Sequence, residues 1–304
     1  MKSIKCQFQY SINMNFREGI DKHSQKQNGE MKNSTSIYSY NEKFRLLNVA
    51  SDFSKFLKGN YPSIKYIRDI QPCHIQSFLN GKKDCTQNTI NSYMQSLKKL
   101  ERVGNKCYGL SNDNMSKVIP PSVTKKQSEL RGAAHPITRE NYEKILTYCL
   151  NNSSKSGDCL LLDYTCSHTH AFRVQELARV KLENIEQNGM ITIDNAKGGK
   201  TYKVHCSHLE FLNVTIRKQY DPNGKLLFGI NGNSINKYLY RVCEKLGIEK
   251  YSFHDIRRYH AQNFYDNLRK NGVDIKSATL ETSKYLGHNT PREKMMTQSY
   301  ISIW

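Results

Sequence analysis

The chain has 304 residues, 37% of them apolar, which is enough to bury a genuine core and more naturally suits two modest domains than one large one. Its 46 Lys and Arg stand against 27 Asp and Glu, a formal charge of +19 that points to a polyanion, most naturally nucleic acid, because a basic surface gains affinity by releasing counterions from phosphates. No run approaches about eighteen consecutive apolar residues, and "MKSIKCQFQYSINMNF" offers no continuous apolar segment, so neither a membrane span nor a secretory leader is expected and a soluble, cytoplasmic protein is.

Residues 1–36 are rich in Lys, Gln, Asn and Ser and lack sustained periodicity, which predicts a largely disordered basic tail or arm. A helical pattern holds over 37–110. In "NEKFRLLNVASDFSKFLKG" the residues Phe44, Leu47, Val49, Phe53 and Phe56 recur at roughly helical spacing, and Gly59 is a plausible stop. In "TQNTINSYMQSLKKLERVG" Ile90, Tyr93, Met94, Leu97 and Leu100 share one face, with Lys98, Lys99 and Arg102 on another, so a small all-helical, DNA-binding domain with a basic side is expected. Pro120, Pro121, Gly132 and Pro136 punctuate the next stretch and place a linker at 111–135.

The second domain, 136–304, opens on a helical pattern. "MITIDNAKGGKTYKVHC" then alternates in period two on both sides of Gly198-Gly199, a strong hairpin signal, and helices resume from about Asn233. The nine cysteines are an odd number without a CxxC pair, which fits reduced, mostly buried thiols. "CSHTH", Cys166 to His170, is the one metal-like cluster, but no second ligand pair at suitable spacing accompanies it, and no metal or other cofactor is expected.

Six residues of this second domain carry candidate chemistry: Arg173 in "RVQEL", Lys197 at the hairpin tip, His254 and Arg257 in "FHDIRR", His288 in "LGH", and Tyr300 in "QSYISIW". His254 and Arg257, three apart on a helix, can aim donors at one spot. In this order the motifs resemble the tyrosine recombinase, or phage integrase, family over about Ile137 to Tyr300. The resemblance implies a mostly helical fold with a small β-sheet or hairpin, in which a helical core-binding domain precedes a mixed α/β catalytic domain. It also implies a site-specific DNA recombinase that cuts and rejoins strands through a covalent 3′-phosphotyrosine, with no ATP or metal.

By the same resemblance Arg173 and Arg257 clamp the phosphate, Glu176 orients Arg173, Lys197 protonates the departing 5′ oxygen, His254 assists proton transfer, His288 supports the phosphate and Tyr300 is the nucleophile. Register favours Lys197 over Lys200 and Lys203, same-face spacing favours Arg257 over Arg258, and order favours Tyr300 over Tyr259, Tyr265 and Tyr285. The implied partners are double-stranded DNA carrying recombination sites, a homo-tetramer on paired sites, and accessory proteins that set direction, in the setting of a mobile element. The interval from His288 to Tyr300, with Pro291 and Arg292 inside it, is longer than the family usually shows, "THAF" lacks the usual glycine, and the four residues after Tyr300 offer no counterpart to the C-terminal helix that many relatives pass to a neighbour. A non-catalytic DNA-binding relative and a type IB topoisomerase are the rival readings.

Overall fold

The computed structural model describes residues 3–18, 35–122, 136–196, 200–222, 224–288 and 293–303. The chain divides into two compact units, Met1–Ser128 and Glu129–Trp304.

The first unit is helical, with α1 (Ile4–Met14), α2 (Tyr40–Asn60), α3 (Pro72–Asn80) and α4 (Gln87–Tyr108). Capping explains where they start and stop. The Ser39 hydroxyl accepts the Glu42 N–H ahead of α2, Thr86 accepts the Thr89 N–H ahead of α4, and α4 ends at Gly109 with φ 61°, a left-handed conformation that only glycine adopts cheaply. The core gathers Phe8, Ile12, Leu46, Phe53, Leu57, Phe78, Leu97 and Leu100.

Helix α1 corrects the expectation of a disordered start. Ile4, Phe8 and Ile12 lie four apart and are 7%, 3% and 0% exposed, so one short stripe is fully used. The polar residue between them is satisfied rather than solvated: Gln7 donates to the Lys65 carbonyl at 2.9 Å and accepts the Ile67 N–H at 3.1 Å. Residues 19–34 of the expected tail lie outside the described residues. The linker also begins later than punctuation implied, because Met115 and Val118 are buried against this unit and Glu101 accepts the Asn114 N–H at 2.8 Å. Residues 123–135 lie outside the described residues.

The second unit runs α5 (Arg139–Asn151), α6 (Lys155–Cys166), α7 (Val174–Ala178), β1 (Met190–Ala196), β2 (Lys200–His205), α8 (Leu209–Arg217), α9 (Gly232–Lys245), α10 (Phe253–Lys270), α11 (Ile275–Tyr285) and α12 (Glu293–Ser299). The strands pair antiparallel with Ile191 opposite Val204 and Ile193 opposite Tyr202; Ile191, Ile193 and Val204 are buried, the period-two face read from sequence. Helices resume at Leu209, earlier than expected: α8 buries Leu212 and Thr215 and packs Phe211 and Ile216, partly buried, against the main core. The main core packs α5, α6, α8 and α9 around the hairpin, while a second cluster of Ala171, Ala261, Tyr265, Ala278, Tyr285, Leu286, Met296, Tyr300 and Ile301 ties α10, α11 and α12 together. The architecture is mostly helical with one small two-stranded sheet. No helix among the described residues is long and apolar enough to cross a membrane.

Candidate active site

Several parts of the second unit meet: the turn entering α7, the first turns of α10, residues 286–288 after α11, and α12 with Tyr300. An open cleft of about 310 Å³ is lined by Arg173, Asn236, Ser252, His254, Arg257 and Tyr300, among others.

Arg173 sits just before α7 and is held twice by Glu176, whose carboxylate accepts the Arg173 backbone N–H at 2.7 Å and the guanidinium at 2.7 Å. Glu176 is 5% exposed. Burial pushes its carboxyl up, but the contact with His170 and the Arg173 backbone N–H and guanidinium outweigh burial and hold it well below the usual carboxylate range. It is therefore an anion at neutral pH that fixes the guanidinium fork.

Arg257 is 1% exposed and donates to the carbonyls of Ala171 and, at 2.7 Å, Leu286. Arg173 reaches the same Leu286 carbonyl at 3.4 Å, so both guanidiniums converge on one backbone oxygen. Burial lowers the Arg257 pKa and the neighbouring Arg173 cation lowers it further, while Tyr300 and Glu176 oppose this. Among the described residues no carboxylate pairs with Arg257, and its buried Nε has no partner. The hydrogen bonds that hold this buried cation run to backbone carbonyls and to the Tyr300 side chain, with no carboxylate in direct contact among the described residues.

The Leu-Gly-His motif has a structural reason. Gly287 has φ 66°, and a Cβ there would sit 3.3 Å from His170 Cε1, so glycine lets the chain turn tightly after the Leu286 carbonyl has been presented. His288 follows, its N–H bonded to the Ser283 carbonyl at 3.0 Å.

Tyr300 closes α12 and is 9% exposed, with its N–H on the Met296 carbonyl at 2.9 Å. The His254 ring lies 5.3 Å and the His288 ring 5.8 Å from the Tyr300 ring, both edge-on, and the Arg257 guanidinium carbon is 5.9 Å from its centroid. His254, Arg257, His288 and Tyr300 are thus brought together, with Arg173 joined through Leu286. Two rival tyrosines are committed elsewhere: the Tyr285 hydroxyl donates to the Ser167 carbonyl, and Tyr265 is fully buried; the third, Tyr259, is half-buried with its ring 5.3 Å from that of Tyr142. Lys197 lies outside the described residues. Of its rivals, Lys203 is paired with Glu186 at 2.7 Å.

His254 faces solvent along one side, yet the surrounding protein, then the Arg258 and Arg257 cations, push its pKa down to about 4 against the partial opposition of Asp255. Its imidazole is neutral at pH 7. An NMR titration of the free protein should give a midpoint near 4, moving upward when a phosphodiester's negative charge binds beside it; a midpoint near an ordinary histidine value of about 6.5 would show that neither burial nor the two guanidiniums act on the ring.

The motif reading missed His170 and Tyr202. Their rings lie 4.6 Å apart, and His170 Nε2 is 4.0 Å from Glu176. A signal existed in "HAFR", which repeats the His-x-x-Arg spacing of "HDIR". Cys166, the head of the metal-like cluster, is buried, and among the described residues no group of three His, Cys, Asp or Glu could hold a metal ion.

The profile of the Phage integrase family matches residues 135–303. The chain belongs to the phage integrase family. Its fold is also that of tyrosine recombinases of known structure. It resembles the XerH site-specific recombinase bound to a palindromic difH substrate in a post-cleavage complex, at 16% identity and TM-score 0.61, covering 99% of this chain and 91% of that one. It resembles a lambda integrase tetramer bound to a Holliday junction, at 16% identity and TM-score 0.58, covering 93% and 78%. The Tn1549 transposon integrase in complex with transposon right end DNA is similar at 14% identity and TM-score 0.55, covering 97% and 94%. No curated protein matches the chain significantly. As a phage integrase family member with this fold, the protein is a tyrosine-type site-specific recombinase, an enzyme of DNA strand cleavage and rejoining, and the topoisomerase and non-catalytic readings are not favoured.

Proposed function

We propose that this integrase performs strand exchange with Arg173, Lys197, His254, Arg257, His288 and Tyr300. The observation that carries the proposal is the convergence of two guanidiniums on the Leu286 carbonyl beside the Tyr300 ring, one of them buried without a carboxylate partner.

A DNA phosphodiester entering the cleft supplies the missing anion, and the planar forks of Arg173 and Arg257 grip its non-bridging oxygens. The Tyr300 oxygen attacks phosphorus and its proton passes to the neutral His254 imidazole. Charge grows on the pentacoordinate phosphorus, where fixed cations stabilise it more than they stabilise the ground state. The bond to the 5′ oxygen breaks, Lys197 protonates that oxygen, and the 3′ phosphate stays on Tyr300. His288, its ring 5.8 Å from that of Tyr300, supports the same phosphate. The phosphotyrosine keeps the energy of the broken bond, so an incoming 5′ hydroxyl reverses the sequence without ATP.

The partner is double-stranded DNA, in keeping with a charge of +19, and the assembly is a tetramer on two sites, by analogy with the tetrameric lambda integrase on a Holliday junction. Accessory proteins would set direction in a mobile element. The test is covalent capture: express the protein beside the DNA flanking its gene, denature, recover protein-linked DNA and sequence its ends. Adducts at one reproducible junction are expected, and two copies of that junction should recombine. Supercoil relaxation without strand exchange in any arrangement of two such sites would overturn the reading.

A further inference from the structure

One face of α10 is not used by the phosphate chemistry. Asp255, Arg258, Gln262 and Asp266 are spaced three, four and four residues apart and so form a polar stripe along the helix, next to the face carrying His254 and Arg257. Each member is hydrogen-bonded. Asp255 Oδ2 reaches back to the Ser252 N–H at 2.8 Å, closing the helix N-terminus, and its Oδ1 accepts Arg258 Nη1 at 2.8 Å. Arg258, 7% exposed, points its Nε at the Ser299 carbonyl, 2.9 Å away. One turn on, Gln262 Oε1 accepts the Ser302 N–H at 2.6 Å, and its Nε2 donates to the Ser302 carbonyl at 3.2 Å and to Asp266 at 2.8 Å.

The amide orientation of Gln262 is dictated by chemistry. A backbone N–H only donates and a backbone carbonyl only accepts, so Oε1 must face the Ser302 N–H and Nε2 the Ser302 carbonyl. Arg258 and Gln262 therefore hold the main chain on both sides of Tyr300, at Ser299 and at Ser302. The side chains of Tyr300 and Ile301 turn inward between those two anchors, Ile301 being 0% exposed.

We infer that Arg258 and Gln262 are positioning residues that set where the Tyr300 oxygen stands, by clipping residues 299–302 of the same chain onto the helix that carries His254 and Arg257. This rests on Tyr300 being the nucleophile. One rigid helix then bears the phosphate-binding arginine, the proton acceptor and the seat of the attacking tyrosine, so their spacing is set within one subunit. The clip also does the work that burial alone cannot, since α12 is only seven residues long and buries only Met296.

The test uses full-length Gln262→Met, which keeps the side-chain length and removes both hydrogen bonds to Ser302 and the one to Asp266, and Arg258→Met beside Arg258→Lys, which retains a cation and a donor. Hydrogen exchange on the free proteins should show the Ser302 amide exchanging about tenfold or more faster in Gln262→Met while α10 amides keep wild-type protection. On the junction DNA recovered by covalent capture, the single-turnover cleavage rate at saturating DNA should fall roughly a hundredfold in Gln262→Met and Arg258→Met, as expected for an attacking atom displaced by about 1 Å. The DNA concentration giving half the maximal rate should stay within about twofold, and Arg258→Lys should recover part of the rate. Cleavage within about threefold of wild type in both Met variants, or wild-type exchange at Ser302, would overturn the clip. Adducts formed by a Tyr300→Phe control would instead sink the reading of Tyr300 on which it rests.

Discussion

Replacing Tyr300 with phenylalanine should abolish covalent attachment to DNA and leave DNA binding within about twofold of wild type. The substitution removes one oxygen and little else. The ring remains 5.3 Å from that of His254 and 5.8 Å from that of His288, the Arg257 guanidinium carbon stays 5.9 Å from its centroid, and the backbone bonds of residues 299–302 do not involve the hydroxyl. Without a nucleophilic oxygen no phosphorus–oxygen bond can form, so the expected loss is complete rather than partial. Tyr285 and Tyr265 cannot take over, because the first is bound to the Ser167 carbonyl and the second is sealed in the core. Denaturing gels of protein with junction DNA read the result directly, and adducts at wild-type yield would move the nucleophile elsewhere.

Arg257→Ala should slow cleavage by about 10²–10³, or about 3–4 kcal/mol of transition-state stabilisation, the scale seen when one preorganised donor to developing negative charge is lost. The same change removes the donor facing the Ala171 and Leu286 carbonyls, so the melting temperature should fall as well. Two variants separate chemistry from folding. Arg257→Lys keeps the charge but not the fork, and should fold and still cleave at least about tenfold more slowly. Arg173→Ala removes a side chain that is 22% exposed, has a smaller folding cost, and should lose a comparable factor in rate. A folded Arg257→Lys or Arg173→Ala cleaving at wild-type rate would take that arginine out of the clamp.

The residues around Tyr300 were legible because each belongs to a short local pattern: His254 and Arg257 share a helix face, and Leu286, Gly287 and His288 form one turn. The hairpin was legible for the same reason, its alternation being written in consecutive residues. What the sequence could not disclose depended on contacts far along the chain. Helix α1 looks polar until Gln7 is seen to satisfy Lys65 and Ile67 and Phe8 is seen in the core. On α2, Phe44 fits an apolar spacing yet is 56% exposed, whereas Leu46 is fully buried; apolar residues at 44, 46, 47 and 49 define two overlapping stripes, and only packing against α1 and α4 chooses between them. Arg258 was the rival to Arg257 because adjacency cannot say which arginine turns inward to the Leu286 carbonyl and which meets Ser299.

The atom on which both clamp arginines converge, the carbonyl oxygen of Leu286, belongs to the peptide unit and not to any side chain. No codon change at position 286 can delete it. Drift at that position should therefore be tolerated as long as an apolar side chain fills the same space, and the vulnerability passes to the next position, where any residue other than glycine would have to adopt φ 66° with its Cβ against His170. A library randomised at 286 and 287 and selected for recombination should come back varied at the first position and nearly monomorphic at the second.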